Sequence, residues 1–271
     1  MGLRFYKYNS QTQKHSMLHL GFEVNGFRLN EGTEFCVTNN SGIWLWNKKQ
    51  EPHLIVSEID DKKCRMNDCT ADSHGRLLAG SWFYSADRAY PRGQLIVVDT
   101  DLTATILDEG FDLANGIALS PDCSTVYVAD SVARTIYAYD YNVRTACVKR
   151  KRILVRLPAE EGLPDGLAVD QEGYIWAALW YGGCVVRFDP DGVIERRLVV
   201  PAKQVSALAF GGQDLSELFV TTAGHSEPMP IMPPGYDATS GYFGGALFKT
   251  QSEVCGLPQL RTRLDDSCVR A

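Results

Sequence analysis

No stretch of this 271-residue sequence comes near the 18 consecutive apolar residues that mark a membrane-spanning helix. Residues Met1 to Ser10 scatter charges where a secretory leader would carry an apolar run. Together these predict a cytoplasmic protein with no membrane partner. The eight cysteines include no C-x-x-C pair, so neither a zinc ribbon nor a dithiol redox motif is written into the chain. Several sit inside apolar runs, as in Phe35-Cys36-Val37 and Gly183-Cys184-Val185, where a reduced thiol serves as a small core residue. The G-x-S-x-G, P-loop and Rossmann fingerprints are missing, which excludes the commonest serine-esterase, NTPase and dinucleotide readings. Concentrated positive charge is scarce as well. Lys and Arg number 27 against 33 Asp and Glu, a net charge of −6, which argues against a nucleic-acid partner. The one basic run, Lys149-Arg150-Lys151-Arg152, has no interleaved aromatics and reads as a solvated turn.

A helical period is equally hard to find. What the chain does contain is short alternating segments rich in β-formers and bounded by Gly, Asn or Pro. They fall into sets of about four, and the sets repeat. Val24-Asn25-Gly26, Leu113-Ala114-Asn115-Gly116 and Leu163-Pro164-Asp165-Gly166 each open one with an amide or acid before glycine. Aligning Gly26, Cys69, Gly116, Gly166 and Ala207 as the openers gives intervals of 43, 47, 50 and 41 residues. Four short strands per unit of that length is the footprint of a β-propeller blade, whose first strand lines the central channel. Five first strands are present. The two strands before Leu20 are assigned to a further unit. The expected fold is therefore all-β: one six-bladed propeller domain over residues 1–271, its first blade lacking two inner strands. A Pro-rich insert over residues 223–244 interrupts the last unit and is expected to form a lid or rim. The tail after Thr250 shows no pattern.

Polar residues at the start of the inner strands of a propeller converge on one mouth of the channel. Asn25, Asn67 with Asp68, Asn115 and Asp165 are the candidates. One such Asn or Asp caps a turn. Several in one register are different, because turn chemistry has no need to recur at one radius. Their oxygens suit a hard divalent cation such as Ca²⁺, Mg²⁺ or Mn²⁺. Arg65, in Arg65-Met66-Asn67-Asp68, adds a cation that either holds substrate oxygens or makes a surface ion pair. Asp130 ends an apolar strand and reads as a turn former. His225 opens the Pro-rich loop. Trp82, Trp176 and Trp180 read as packing between blades, with stacking on a sugar ring as the alternative.

These motifs, with Ala79-Gly80-Ser81, Tyr127-Val128-Ala129-Asp130-Ser131 and Gly182-Gly183-Cys184-Val185-Val186-Arg187-Phe188-Asp189-Pro190, resemble the gluconolactonase, regucalcin (senescence marker protein) and luciferin-regenerating-enzyme-like family from about Phe5 to Lys249. The resemblance implies a six-bladed propeller that hydrolyses sugar lactones around one divalent metal ion, with Ca²⁺, Zn²⁺, Mg²⁺ and Mn²⁺ all open. It implies Asn115 and Asp165 as metal ligands, Asp165 also as general base, and Arg65 and Asn67 as substrate contacts. It implies a monomer or weak dimer whose partner is a small sugar lactone. Two positions depart from the family pattern. Its third ligand, a glutamate on the first inner strand of the first blade, has no counterpart here. A substrate-contacting acid expected about eighteen residues after Asn67 falls at Ser85. The missing glutamate implies weak metal binding. It also keeps open a catalytically impaired metal- or sugar-binding propeller, with a protein-interaction platform as the third reading.

Overall fold

The computed structural model describes residues 2–31, 35–48, 51–82, 92–224, 231–237, 239 and 241–265. It is built from β-strands alone among those residues, so no helix there is long and apolar enough to cross a membrane. A hairpin opens the chain, pairing β1 (Gly2–Asn9) with β2 (Lys14–Val24). Blade one follows with β3 (Gly26–Leu29), β4 (Phe35–Asn39), β5 (Gly42–Trp46) and β6 (His53–Val56). A two-residue ladder, β7 (Glu58–Ile59) with β8 (Lys62–Lys63), links it onward. Blade two is β9 (Met66–Ala71), β10 (Leu77–Ser81), β11 (Gly93–Val98) and β12 (Ala104–Phe111). Blade three is β13 (Ala114–Leu119), β14 (Thr125–Asp130), β15 (Thr135–Asn142) and β16 (Cys147–Arg156). Blade four is β17 (Leu163–Val169), β18 (Ile175–Trp180), β19 (Cys184–Phe188) and β20 (Ile194–Val199). Blade five has three strands, β21 (Val205–Gly211), β22 (Glu217–Thr222) and β23 (Leu247–Gln251).

Every blade is an antiparallel meander in sequence order, so the fold is an all-β propeller. Among the described residues the expectation of six blades is corrected to five. Residues 2–24, assigned to a sixth unit, form only a separate two-stranded sheet, and two strands cannot make a blade face on both sides. That hairpin leans on blade one through an aromatic cluster: the Phe5 ring lies 4.7 Å from Phe27 and 5.3 Å from Phe35. It touches blade five through Tyr8, 6.1 Å from Phe219.

The core consists of four apolar clusters, each trapped between successive blades. Close approach of the inner strands needs glycine. A Cβ on Gly116 would fall 2.3 Å from the Asp165 carbonyl oxygen, and one on Gly166 would meet Ala207 at 2.8 Å.

The tail, patternless in sequence, is a strap across the far end of the ring from the inner-strand starts. Its amides at Ser252 and Gly256 donate to Ser216 and Leu215 of blade five, and Cys255 accepts from Gln171 of blade four. It then reaches blade one, where buried Asn30 accepts from Thr262 Oγ1 at 2.7 Å and from the Leu264 amide at 3.0 Å, and donates to the Leu264 carbonyl. Arg263 ends the crossing with its amide on Gly75 of blade two.

The basic run is also corrected. Lys149 to Arg152 lie inside strand β16, because carboxylates on neighbouring strands neutralise them: Arg150 and Arg152 pair with Asp140, and Lys151 with Asp108. All seven described cysteines are free thiols.

Candidate active site

Counting pairs inward from each hairpin turn sets the inner strands in register. Leu29–Phe35, Ala71–Leu77, Leu119–Val126, Val169–Ile175 and Phe210–Leu218 correspond. Asn25, Asn67, Asn115, Asp165 and Ser206 then stand at one level, and all five line a single cavity of 590 Å³. The sequence alignment was one residue out in blade two: Asp68, not Cys69, matches Gly26, Gly116, Gly166 and Ala207. The cause is irregular pairing at this level. In blade two the register shifts between Ala79 and Ser81, opposite Cys69 and Met66, and bulges of this kind re-aim side chains at the ends of strands.

The column is held by hydrogen bonds between blades. Asn25 Nδ2 donates to the Met66 carbonyl at 2.8 Å, and Asn67 Nδ2 to the Ala114 carbonyl at 3.0 Å. Thr38 Oγ1 donates to the Asn67 carbonyl, fixing that residue from blade one. Asn115 Nδ2 lies 3.2 Å from Ser131 Oγ, whose own proton goes to the Pro164 carbonyl at 2.6 Å. Asn25 Oδ1 is buried and has no partner among the described residues.

Asp165 is the most perturbed acid of the column. Burial pushes its carboxyl well above the ordinary range, the charge of Asp68 pushes it further, and a hydrogen bond from Asn115 opposes both. Asp68 is raised by burial too, against the pull of the Arg28 guanidinium and the Cys69 amide. Two carboxyls close enough to repel, with amide oxygens beside them, form a hard-oxygen donor set.

The remaining expected residues divide. Asn67, Asn115 and Asp165 come together. Arg65 is exposed, does not line the cavity, and accepts a bond from the Trp82 amide at its carbonyl. Asp130 is a turn former: it accepts from the amides of Asp112, Leu113 and Ala133. Trp176 packs between blades, its ring edge-on to Phe210 and its Nε1 donating to Asp170. Trp82 and Trp180 line the cavity. His225 and Ser85 lie outside the described residues. His15 and His19, four apart on strand β2, are separated by roughly 13 Å of extended chain, too far for one ion. Sequence reasoning missed Ser131, Ser206 and Arg28. Ser206 was legible from its place two residues into the fifth unit. Ser131 needed the knowledge that the end of each second strand reaches the same mouth.

Comparison with known proteins completes the description. A family profile described as "SMP-30/Gluconolactonase/LRE-like region" matches residues 1–224. The chain is 39% identical over 206 residues to "Pentonolactonase XacC" of Haloferax volcanii, covering 76% of this chain and 69% of that one. It is 30% identical over 208 residues to "Regucalcin" of Sus scrofa, covering 74% and 67%. The fold superposes on a solved luciferin-regenerating enzyme with a TM-score of 0.84 at 26% identity, covering 97% of this chain and 89% of the other.

Proposed function

The chain belongs to the SMP-30/gluconolactonase/LRE-like family, and on that premise we propose that it hydrolyses sugar lactones at the mouth where Asn67, Asn115 and Asp165 meet. The observation that carries this reading is the half-buried, charge-perturbed carboxyl of Asp165 facing a cavity large enough for a five- or six-membered ring. A divalent cation fits the donors on hand. Two carboxyls raised by burial and mutual repulsion, and the unpartnered Asn25 Oδ1, are what a hard cation would relieve. Asn115 and Asp165 would hold it, and it would polarise a carbonyl and acidify a bound water.

The chain's own groups do the rest. Asp165 in its ionised form accepts a proton from the attacking water. Asn115 orients that carboxylate. Asn67, with one N–H fixed on Ala114, keeps its remaining amide atoms for the ring oxygens. Inter-blade hydrogen bonds hold these groups in place before substrate arrives.

Hydrolysis of pentono- and gluconolactones, followed by proton release with and without added Ca²⁺, Zn²⁺, Mg²⁺ or Mn²⁺, tests the proposal. Wild type turns over, and Asp165→Asn falls by at least about a hundredfold. An unchanged rate in that variant, or no turnover by wild type under any ion, overturns it. The competing reading is a metal- or sugar-binding propeller without turnover. It is favoured by Arg65, an expected substrate contact that is exposed and does not line the cavity. It predicts a ligand-induced rise in melting temperature with no acid released.

A further inference from the structure

The large apolar side chains of the cavity wall gather on one side. Trp82, Leu113, Val132, Leu163 and Trp180 form an arc across blades two, three and four, with the Ser131 hydroxyl among them already donated to Pro164, whereas Asn25, Ser206 and Thr221 stand beside the smaller Val24, Ala207 and Ala223 on the other side. Both residues are held in place, Trp82 by its indole and Trp180 by its backbone and one ring contact. Trp82 bridges to Leu113 through its backbone and donates Nε1 to Asn40 Oδ1 at 3.1 Å. Trp180 pairs with Leu163 across the β17–β18 ladder, bridges to Gln204, and meets the Tyr181 ring edge-on at 6.1 Å. The arc is therefore a built surface. None of its side chains offers a hydrogen-bond acceptor, and its one class of donor is the indole N–H: that of Trp82 is already spent on Asn40, and that of Trp180 is buried without a partner. A substrate hydroxyl turned towards the arc would surrender a water acceptor and gain none, while a methyl or methylene loses nothing and gains burial.

Resting on the lactonase reading above, the geometry points to sugar lactones with a deoxygenated edge as the preferred substrates: a methyl or methylene stands where the parent sugar carries a hydroxyl, and Trp82 and Trp180 set the preference. The kind of wall fixes the size of the effect. An apolar wall rejects an isostere with one added hydroxyl by about a hundredfold at most, whereas a wall built to bind that hydroxyl rejects the deoxy compound by about ten-thousandfold.

Matched pairs of hexono-1,4-lactones and their 6-deoxy forms, in the manno and galacto series, decide the matter through kcat/KM. Wild type favours the deoxy member by about tenfold to a hundredfold in at least one series. The ratio falls to near one in Trp180→Ala and recovers in Trp180→Phe, which also keeps the test open should the alanine variant fail to fold. A wild-type ratio at or below one in both series overturns the inference while leaving lactone hydrolysis intact. If no lactone is hydrolysed, the lactonase reading fails separately, and quenching of tryptophan fluorescence by the same pairs decides specificity. Tighter binding of the deoxy member supports the arc, and equal or weaker binding overturns it.

Discussion

The junction between blades three and four and the seam between blades five and one use the same columns of residues to opposite effect. Ile117 and Leu119 on β13 face back onto blade two and are 1% and 8% exposed. Their equivalents on β3, Phe27 and Leu29, face the hairpin and are 42% and 39% exposed. In the forward direction Gly116 is pressed onto Asp165, while its equivalent Ala207 is exposed. Among the described residues β13 and β17 abut closely, and no comparable contact joins β21 back to β3. The well-packed junctions and the candidate site therefore share an address. The acid and amides of the column are held by the buried junctions of blades two to four, and among the described residues the seam is bridged by the hairpin and by the C-terminal strap.

The sharpest way to break this comparison is to enlarge one small residue in each region. Gly116→Ala drives a Cβ into the Asp165 backbone and is expected to cost about 3 kcal/mol or more and to abolish turnover. Ala207→Val at the matching seam position should stay within about 0.5 kcal/mol in a urea melt. Equal losses would mean that the two regions are packed alike. Truncation gives the next contrast. Ile117→Ala should cost about 2–4 kcal/mol, and Leu29→Ala about 1 kcal/mol or less, since burial sets the transfer and cavity contributions. The strap comes third. Asn30→Ala deletes three hydrogen bonds at a buried site and should cost about 1–3 kcal/mol, with hydrogen exchange accelerating over residues 252–265. Exchange confined to blade one would show that the strap does not depend on Asn30.

The smallest expected effect is on the pH dependence of stability. The folded state raises the Asp165 carboxyl above its unfolded value, so the associated stability is fully present below the unfolded value and is lost as pH rises through the folded one. Asp165→Asn removes that loss. Without metal, its melting temperature should exceed wild type's at neutral pH, and the gap should close as the pH falls into the ordinary carboxylate range.

Much of the ring was legible because alternating strands and polar turns leave a mark on every ladder, as in Thr125 to Asp130 and Cys184 to Phe188. The column Asn25, Asn67, Asn115 and Asp165 was legible for the same reason. Its register in blade two was not: the irregular pairing of Met66 to Cys69 with Ala79 to Ser81 leaves no trace in composition. The strap was invisible because its residues pair in ones and twos with four different blades and so carry no period. The charges of Lys149 to Arg152 concealed a strand whose neutralising partner Asp140 lies on the neighbouring ladder. Nor could spacing tell Trp176, sealed against Phe210, from Trp180, which faces the cavity.

Asp165→Asn, assayed for melting temperature and lactone turnover on the same metal-free and metal-loaded samples at neutral pH, tests the central claim most directly. A carboxylate held against its own solvation for the sake of chemistry predicts a higher metal-free melting temperature together with a turnover loss of at least about a hundredfold. A lower melting temperature with turnover intact would contradict it.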